Sequence, residues 1–238
     1  MLTLRKSNDR GRGQIDWLQS WFTFSFDQYQ DPSHTHWSAL RVINEDIIEP
    51  RQGFGMHPHR DMEIISFVIS GALKHQDSLG NLGILRPGEI QRMTAGSGIT
   101  HSEFNPEATT PTHMLQIWII PSEKNRNPSW EQISWRNLVI QDNGMRLLAS
   151  PDGRLGSTVI GQDVMLWHGS IAANALLGVA IHPKRKGWMQ LAEGKLEVQC
   201  VTQDAFICNQ GDGVAVSGES EFKIKALEAS SLLWFDLP

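Results

Sequence analysis

The sequence predicts an all-β protein built as two tandem barrel-like halves. Three observations carry this. Helical periodicity is scarce along the 238 residues. Short apolar or alternating runs recur and are cut by Gly, Pro, Asn and Asp, the pattern of a β-sandwich or barrel. The halves also share a spacing, since Gly88 follows Gly71 by 17 positions and Gly211 follows Gly194 by 17 positions.

In Trp21-Phe22-Thr23-Phe24-Ser25-Phe26 the aromatics at 22, 24 and 26 alternate with small polar residues. That places them on one face of a strand. A core-facing strand is the first reading, and a platform that stacks a sugar or base is the second. His34-Thr35-His36 follows the turn signal Asp31-Pro32-Ser33 and reads as a loop. Ser38 to Asn44 and the apolar run Glu63 to Ile69 read as strands, the latter ended by Ser70-Gly71. Leu73 to His75 begins the return, Ser78 to Asn81 is a loop tip, and Arg86-Pro87-Gly88-Glu89 is a turn. His113 to Pro121 is a further strand, and His113 at its start reads as a strand-end histidine. Glu123 to Trp135 is polar and rich in Asn and Pro, and Ser129-x-x-Gln132 resembles a helix capping box. This stretch reads as a linker with a short helix, which divides the chain into domains 1–125 and 126–238. Strands resume from Met145 and follow one another to Asp236.

The chemistry concentrates between His57 and Glu103. His57-Pro58-His59 and His101-Ser102-Glu103 each have the form ligand-x-ligand. On a strand, residues two apart point to one face, so two such pairs on neighbouring strands can converge. Three imidazoles and a carboxylate suit Fe, Cu, Ni, Mn or Zn and can leave coordination positions open. Carried along the repeat, these four positions fall on Ala180, His182, Ile224 and Ala226. One imidazole does not hold a metal, so a single site is expected, in the N-terminal half.

A net charge of −5 argues against a nucleic-acid surface. The short basic run His182-Pro183-Lys184-Arg185-Lys186 reads as a solvated loop. Cys200 and Cys208 lie symmetrically about Asp204, where a hairpin could bring them close, yet both are expected to be reduced. No signal peptide or bilayer-length apolar run is read, so a cytoplasmic protein is expected.

These residues resemble the cupin superfamily. His57-x-His59-x3-Glu63-x7-Gly71 and Gly98-x-x-His101 fill its two motifs. Over nearly the whole chain the sequence is similar to the pirin family. The resemblance rests on Trp21 to Phe26 with Tyr29 and Asp31-Pro32, on His57-Pro58-His59-Arg60, on Met93 to Glu103, and on Leu115-Gln116-Ile117-Trp118. It implies two tandem cupin (jelly-roll β-barrel) domains, an N-terminal one that binds metal and a degenerate C-terminal one without it. It implies one divalent metal, commonly iron, on His57, His59, His101 and Glu103. Many single-domain cupins use the first-motif glutamate instead, which makes Glu63 the alternative ligand.

The resemblance further implies quercetin 2,3-dioxygenase activity, and for animal members a nuclear role as a metal- and redox-dependent cofactor of a transcription factor. Fe(II) is the first expectation, with Cu, Ni, Mn, Co or Zn open. The expected substrates are a flavonoid and O2. Glu103 would act as general base, and carbon monoxide would be released. Arg60, Glu63 and Gln116 are the candidates to orient the ligands, Ile65, Phe67 and Ile117 the apolar wall, and Met62 and Ser66 further pocket-facing candidates. The alternative is a non-enzymatic regulator acting through protein–protein binding, or one that docks on a larger complex. A monomer is expected.

Overall fold

Short runs separated by turn residues give strands almost throughout. The structure, a computed structural model, describes residues 1–142 and 144–238. In chain order the strands begin with β1 (Leu2–Arg5), β2 (Gly11–Ile15), β3 (Leu18–Phe22), β4 (Leu40–Ile48), β5 (Gly53–His59), β6 (Glu63–Ser70), β7 (Leu73–Asp77), β8 (Leu82–Leu85), β9 (Glu89–Thr94), β10 (Ile99–Phe104) and β11 (Thr112–Ile119). They continue with β12 (Ser129–Ser134), β13 (Met145–Ser150), β14 (Thr158–Val159), β15 (Met165–Ile171), β16 (Leu176–Ala180), β17 (Lys186–Glu193), β18 (Lys195–Cys200), β19 (Gln203–Asn209), β20 (Gly213–Ser217), β21 (Glu221–Ala226) and β22 (Ser230–Leu237). Among the described residues no helix is long and apolar enough to cross a membrane.

The chain forms two compact units. Gly11–Asn137 and Thr158–Gln162 make one, and Met1–Arg10, Leu138–Ser157 and Asp163–Pro238 make the other. Each is a jelly roll of two antiparallel sheets. In the first unit one sheet runs β12-β9-β6-β11-β4-β3-β2 and the other β5-β10-β7-β8. In the second, β1-β20-β17-β22-β15-β13 lie in order in one sheet and β16-β21-β18-β19 in the other.

The strand orders β6-β11-β4 and β17-β22-β15 correspond, as do β5-β10-β7-β8 and β16-β21-β18-β19, so the repeat seen in the glycine spacing is a repeat of topology. Gly71 (φ 79) and Gly194 (φ 90) make the equivalent β6–β7 and β17–β18 turns. At both, a Cβ would strike a backbone carbonyl, Pro111 O or Ala229 O.

The interiors differ. In the second unit Val179, Leu196, Val198, Phe222, Ile224 and Ala226 belong to one hydrophobic core cluster. The equivalent strands of the first unit carry His57, His75, His101 and Glu103. His182, the one histidine retained by the repeat, is exposed. Among the described residues, every group of His, Cys, Asp and Glu that could hold a metal lies in the first unit.

Three local expectations are corrected. Residues 129–134 are a strand, not a helix. β12 pairs with β9 from Ser129↔Thr94 to Ser134↔Glu89, because an open sheet edge offers this segment backbone partners that a capping box alone does not. The units therefore divide between Asn137 and Leu138, not after residue 125, and residues 1–10 go with the second. The aromatic strand stops at Phe22, and a turn at Asp27 (φ 48) bridges Phe26 to Tyr29. The hairpin that carries the cysteines pairs Cys200 with Gln203 and Cys208 with Leu196. Both cysteines are free.

A buried histidine in the second unit gives a pH prediction. His168, 2% exposed, faces Ser231 Oγ at 3.0 Å through Nε2. Burial, and secondarily the Arg146 charge, lowers its pKa from 6.5 to about 4. Below pH 6.5 the unfolded chain takes up a proton that the folded chain refuses, so stability falls as the pH drops from about 6.5 to about 4. The loss between pH 7 and 4.5 is about 2 kcal/mol. Urea unfolding at these two pH values is expected to show that much less acid loss in His168→Gln than in the wild type.

Candidate metal centre and its cavity

The site is built on β5 and β10, which pair antiparallel with His57 opposite His101. The register then shifts, so that Glu103 pairs with Phe54. Two residues, Gly55 and Met56, thus stand on β5 against Ser102 alone, which is a β-bulge. The bulge changes the parity of the strand. His57 and His59 point into the barrel by alternation, and Phe54, of opposite parity to His57, lines the same cavity.

Three imidazoles converge there. Ring centroids are 4.5 Å apart for His57 and His101, and 4.8 Å for His57 and His59 and for His59 and His101. One nitrogen of each lies within 4.8 Å of the others. Burial and the neighbouring imidazoles disfavour the charged forms of His59 and His101. His59 is lowered to about 4, by burial and then by His57. His101 is held lower still, by burial first.

The hydrogen bonds fix the tautomers. His57 Nδ1 lies 2.7 Å from the Gly55 carbonyl of the bulge. A carbonyl only accepts, so the proton sits on Nδ1 and the Nε2 lone pair is free. For His101 the constraint arrives through two further side chains that the sequence reading passed over. His75 Nε2 donates to Asp77 Oδ2 at 3.1 Å, which leaves His75 Nδ1 as an acceptor. His101 Nδ1, 3.4 Å from it, donates. His101 Nε2 is then a lone pair, buried and without a hydrogen-bond partner.

Asp77 is anchored in turn by the backbone N–H groups of Leu79 and Asn81 and by the Asn81 amide. Burial opposes its charge, yet the bonds from Asn81 and His75 hold its carboxyl below the usual value. The Trp130 ring of β12 stacks on His75 at 5.5 Å. The signal for this pair was present as His75-x-Asp77, two residues apart on a strand.

Glu103 is 2% exposed. Ser66 Oγ lies 3.0 Å from its Oε1, and Gln116 Nε2 donates to its Oε2 at 2.5 Å. Burial raises its pKa. It groups with His75 and His101 rather than directly with all three outer imidazoles, so it joins the cluster through His101.

Of the other residues singled out, Gln116 touches Glu103. Arg60 is exposed and donates to Asn125 Oδ1, away from the cluster. Glu63 lies on the opposite face of β6 from Ser66 and accepts from Thr94 Oγ1 at 2.8 Å, so it does not reach the imidazoles. The expected wall of Ile65, Phe67 and Ile117 is also on the far face, since these alternate with Ser66 and Gln116. β6 and β11 are apolar on both faces, and such runs do not declare which parity faces inward.

The cavity beside the cluster measures about 290 Å³. Phe22, Phe26, Phe54 and Trp118 line it, with Asn44, Asp46 and Ser20 on the same wall. Phe26 meets Trp118 edge-on at 5.4 Å, and Trp118 meets His59 at 5.0 Å. The second reading of the aromatic run, a surface for stacking, thus describes Phe22 and Phe26 better than a core strand does.

The donors fit a transition metal on this structure's own terms. Imidazoles held so that Nε2 of His57 and of His101 is a lone pair, the latter buried and orphaned, with His59 converging on them, are what such an ion needs. Two tandem cupin barrels, one lined with these donors and the other filled with hydrophobic side chains, define a bicupin.

The chain belongs to the pirin family. The Pirin family model matches residues 4–119, and a model described as "Quercetinase C-terminal cupin domain" matches residues 147–237. The chain is 42% identical to a quercetin 2,3-dioxygenase of Escherichia coli, over all of this chain and 99% of the relative. The crystal structure of the bacterial pirin YhhW from Escherichia coli, in complex with nickel(II), superposes with a TM-score of 0.92, 42% identity and coverage of 100% of this chain and 99% of that one. A vicilin from Corylus avellana shares the fold alone, with a TM-score of 0.71 at 12% identity, covering 98% of this chain and 85% of that one.

Proposed function

We propose that the chain is a metal-dependent dioxygenase that cleaves flavonols such as quercetin with O2. The observation that carries this reading is the convergence of three imidazoles beside Glu103, at a cavity lined by four aromatic rings. Its volume is near the lower end for small-molecule sites and suits one flat polycyclic molecule.

His57, His59 and His101 would hold the metal, with Glu103 as fourth donor. Iron(II) is the proposed resident ion. Nickel(II), the ion in the Escherichia coli structure, suits the same donors, as do the neighbouring first-row metals. When bound, the metal supplies Lewis acidity and open positions for substrate and O2. Phe22, Phe26, Phe54 and Trp118 hold the flat ring system and exclude water. Glu103, whose burial favours the protonated form, takes the flavonol hydroxyl proton on a carboxylate oxygen. Ser66 and Gln116 keep that carboxylate aimed. On this reading the protein works as a cytoplasmic monomer.

Asp77 and His75 act through His101. Asp77→Asn would turn a donor toward His75 Nε2 and reverse the tautomer chain. Metal affinity, measured by competition with a chelator, is expected to fall about 10- to 100-fold.

The test of the reading is metal analysis, anaerobic quercetin titration and then O2 addition, on the wild type and on His57→Ala. One metal per chain, with quercetin-dependent O2 uptake and carbon monoxide release absent from the variant, is the expected result. Tight quercetin binding without O2 uptake would instead favour the partner-binding alternative.

A further inference from the structure

Resting on that reading, we propose that Asn44 and Asp46 form a hydroxyl-reading wall of the cavity and select flavonols hydroxylated on the pendant ring. The sheet register places them. Ser66, Gln116, Asn44 and Phe22 oppose one another across β6, β11, β4 and β3. Asn44 therefore stands one strand from Gln116, the residue that holds Glu103, and strands are about 4.8 Å apart. Asp46 lies one inward position further along β4, about 7 Å away, opposite Met114 and Ser20.

Both side chains are buried in the cavity wall, 4% and 5% exposed, and neither touches the imidazole cluster. Asn44 Oδ1 has no hydrogen-bond partner. A buried acceptor left unmet costs about 1–3 kcal/mol, and such orphans in a native wall call for an explanation. Asp46 Oδ1 accepts from Ser20 Oγ at 2.5 Å, which leaves Oδ2 for a second donor. Burial pushes the Asp46 carboxyl up to about 7, so the group is poorly satisfied where it stands.

The ligand chemistry follows from the wall. Asn44 Oδ1 is an acceptor, and so is Asp46 Oδ2 in the ionised form that a bound donor favours, so both call for O–H donors. Phe22 lies beside Asn44 in the same row, with Phe26 packed on it at 5.5 Å. A phenolic ring supplies the flat apolar body and the donor together. The cluster end would take the flavonol's enol oxygen and the Asn44–Asp46 wall the hydroxyls of its pendant ring. A site built to hydrogen-bond a hydroxyl rejects the analogue that lacks it, because its own polar groups are then stranded.

The experiment compares quercetin, hydroxylated on the pendant ring, with galangin, which is not. Dissociation constants are measured for the metal-loaded protein under nitrogen, by quenching of tryptophan fluorescence. The wild type is expected to prefer quercetin by about tenfold or more. Asn44→Leu and Asp46→Asn are each expected to bring the ratio to within about threefold, mainly by weakening quercetin. A wild-type preference that survives in both variants, or no wild-type preference at all, overturns the wall while leaving the dioxygenase reading intact. Failure of the wild type to bind either flavonol overturns both.

Discussion

His101→Ala is expected to abolish metal retention and with it any turnover. The residue is 1% exposed, and its Nε2 has no partner in the protein. Among the described residues no other side chain groups with His57 and His59, and His75, whose Nε2 is held by Asp77, stands behind His101 rather than beside them. The binding loss should exceed the roughly 100-fold seen for residues that merely orient a ligand. The consequence for stability separates the roles. Wild-type protein at a metal concentration about 100 times its dissociation constant gains roughly 3 kcal/mol, and the variant gains none. Without metal, His101→Ala costs about 1–3 kcal/mol for the donor removed from His75. His101→Gln retains an amide donor, so it restores part of that cost and none of the metal response. Thermal unfolding with and without added nickel(II) reads both effects. A metal-induced rise in Tm that persists in His101→Ala would remove this residue from the centre.

What the chain disclosed before its structure divides along a physical line. The pairs at His57 and His101 were legible because alternation on a strand is a short-range rule, and register between two strands then needed only one coincidence. The loss of donors from the second half was legible for a similar reason, since the offset from Gly71 to Gly194 put Ala180, Ile224 and Ala226 at the equivalent positions. Those positions now lie on β16 and β21, and Ile224 and Ala226 belong to the hydrophobic core of the second barrel.

The inward face of β6 and β11 was not legible. Ile64 to Val68 is apolar except for Ser66, and a strand buried on both sides carries no alternation to read. Ile65, Ser66 and Phe67 all read as pocket-facing, yet neighbours on a strand face opposite ways, and a slip of one residue exchanges the two faces entirely. β12 failed differently. Ser129 to Ser134 has a local pattern compatible with a helix start, and only the open edge of β9, distant in sequence, decides for a strand. That one misassignment also hid Trp130, and so part of the environment of His75. Phe54 lines the cavity only because of the β5 bulge, and a bulge one residue long leaves no mark in a hydrophobic pattern.

The same strand pair carries the second large prediction. Gly53→Val is expected to destabilise the fold by about 3 kcal/mol and to weaken metal binding together with it. Gly53 opposes Phe104 at the end of β5. A Cβ there would lie 2.2 Å from Glu103 O and 2.5 Å from Phe104 Cα. Both atoms are backbone, so no rotamer change relieves the clash, and the strands must part. Parting them opens the Phe54–Glu103 pair and then His57–His101, the two pairs that set the centre.

Gly55 is the internal control. It sits on the same strand, two residues nearer the histidines, and a Cβ on it would meet nothing within 4 Å. Gly55→Ala should therefore change stability by no more than about 0.5 kcal/mol. It keeps the carbonyl that receives His57 Nδ1, so metal affinity should stay within a few-fold of the wild type. Urea unfolding and metal titration of both variants make the comparison. Equal effects of the two substitutions would mean that the close approach of β5 to β10 at Gly53 does not hold the imidazoles in place.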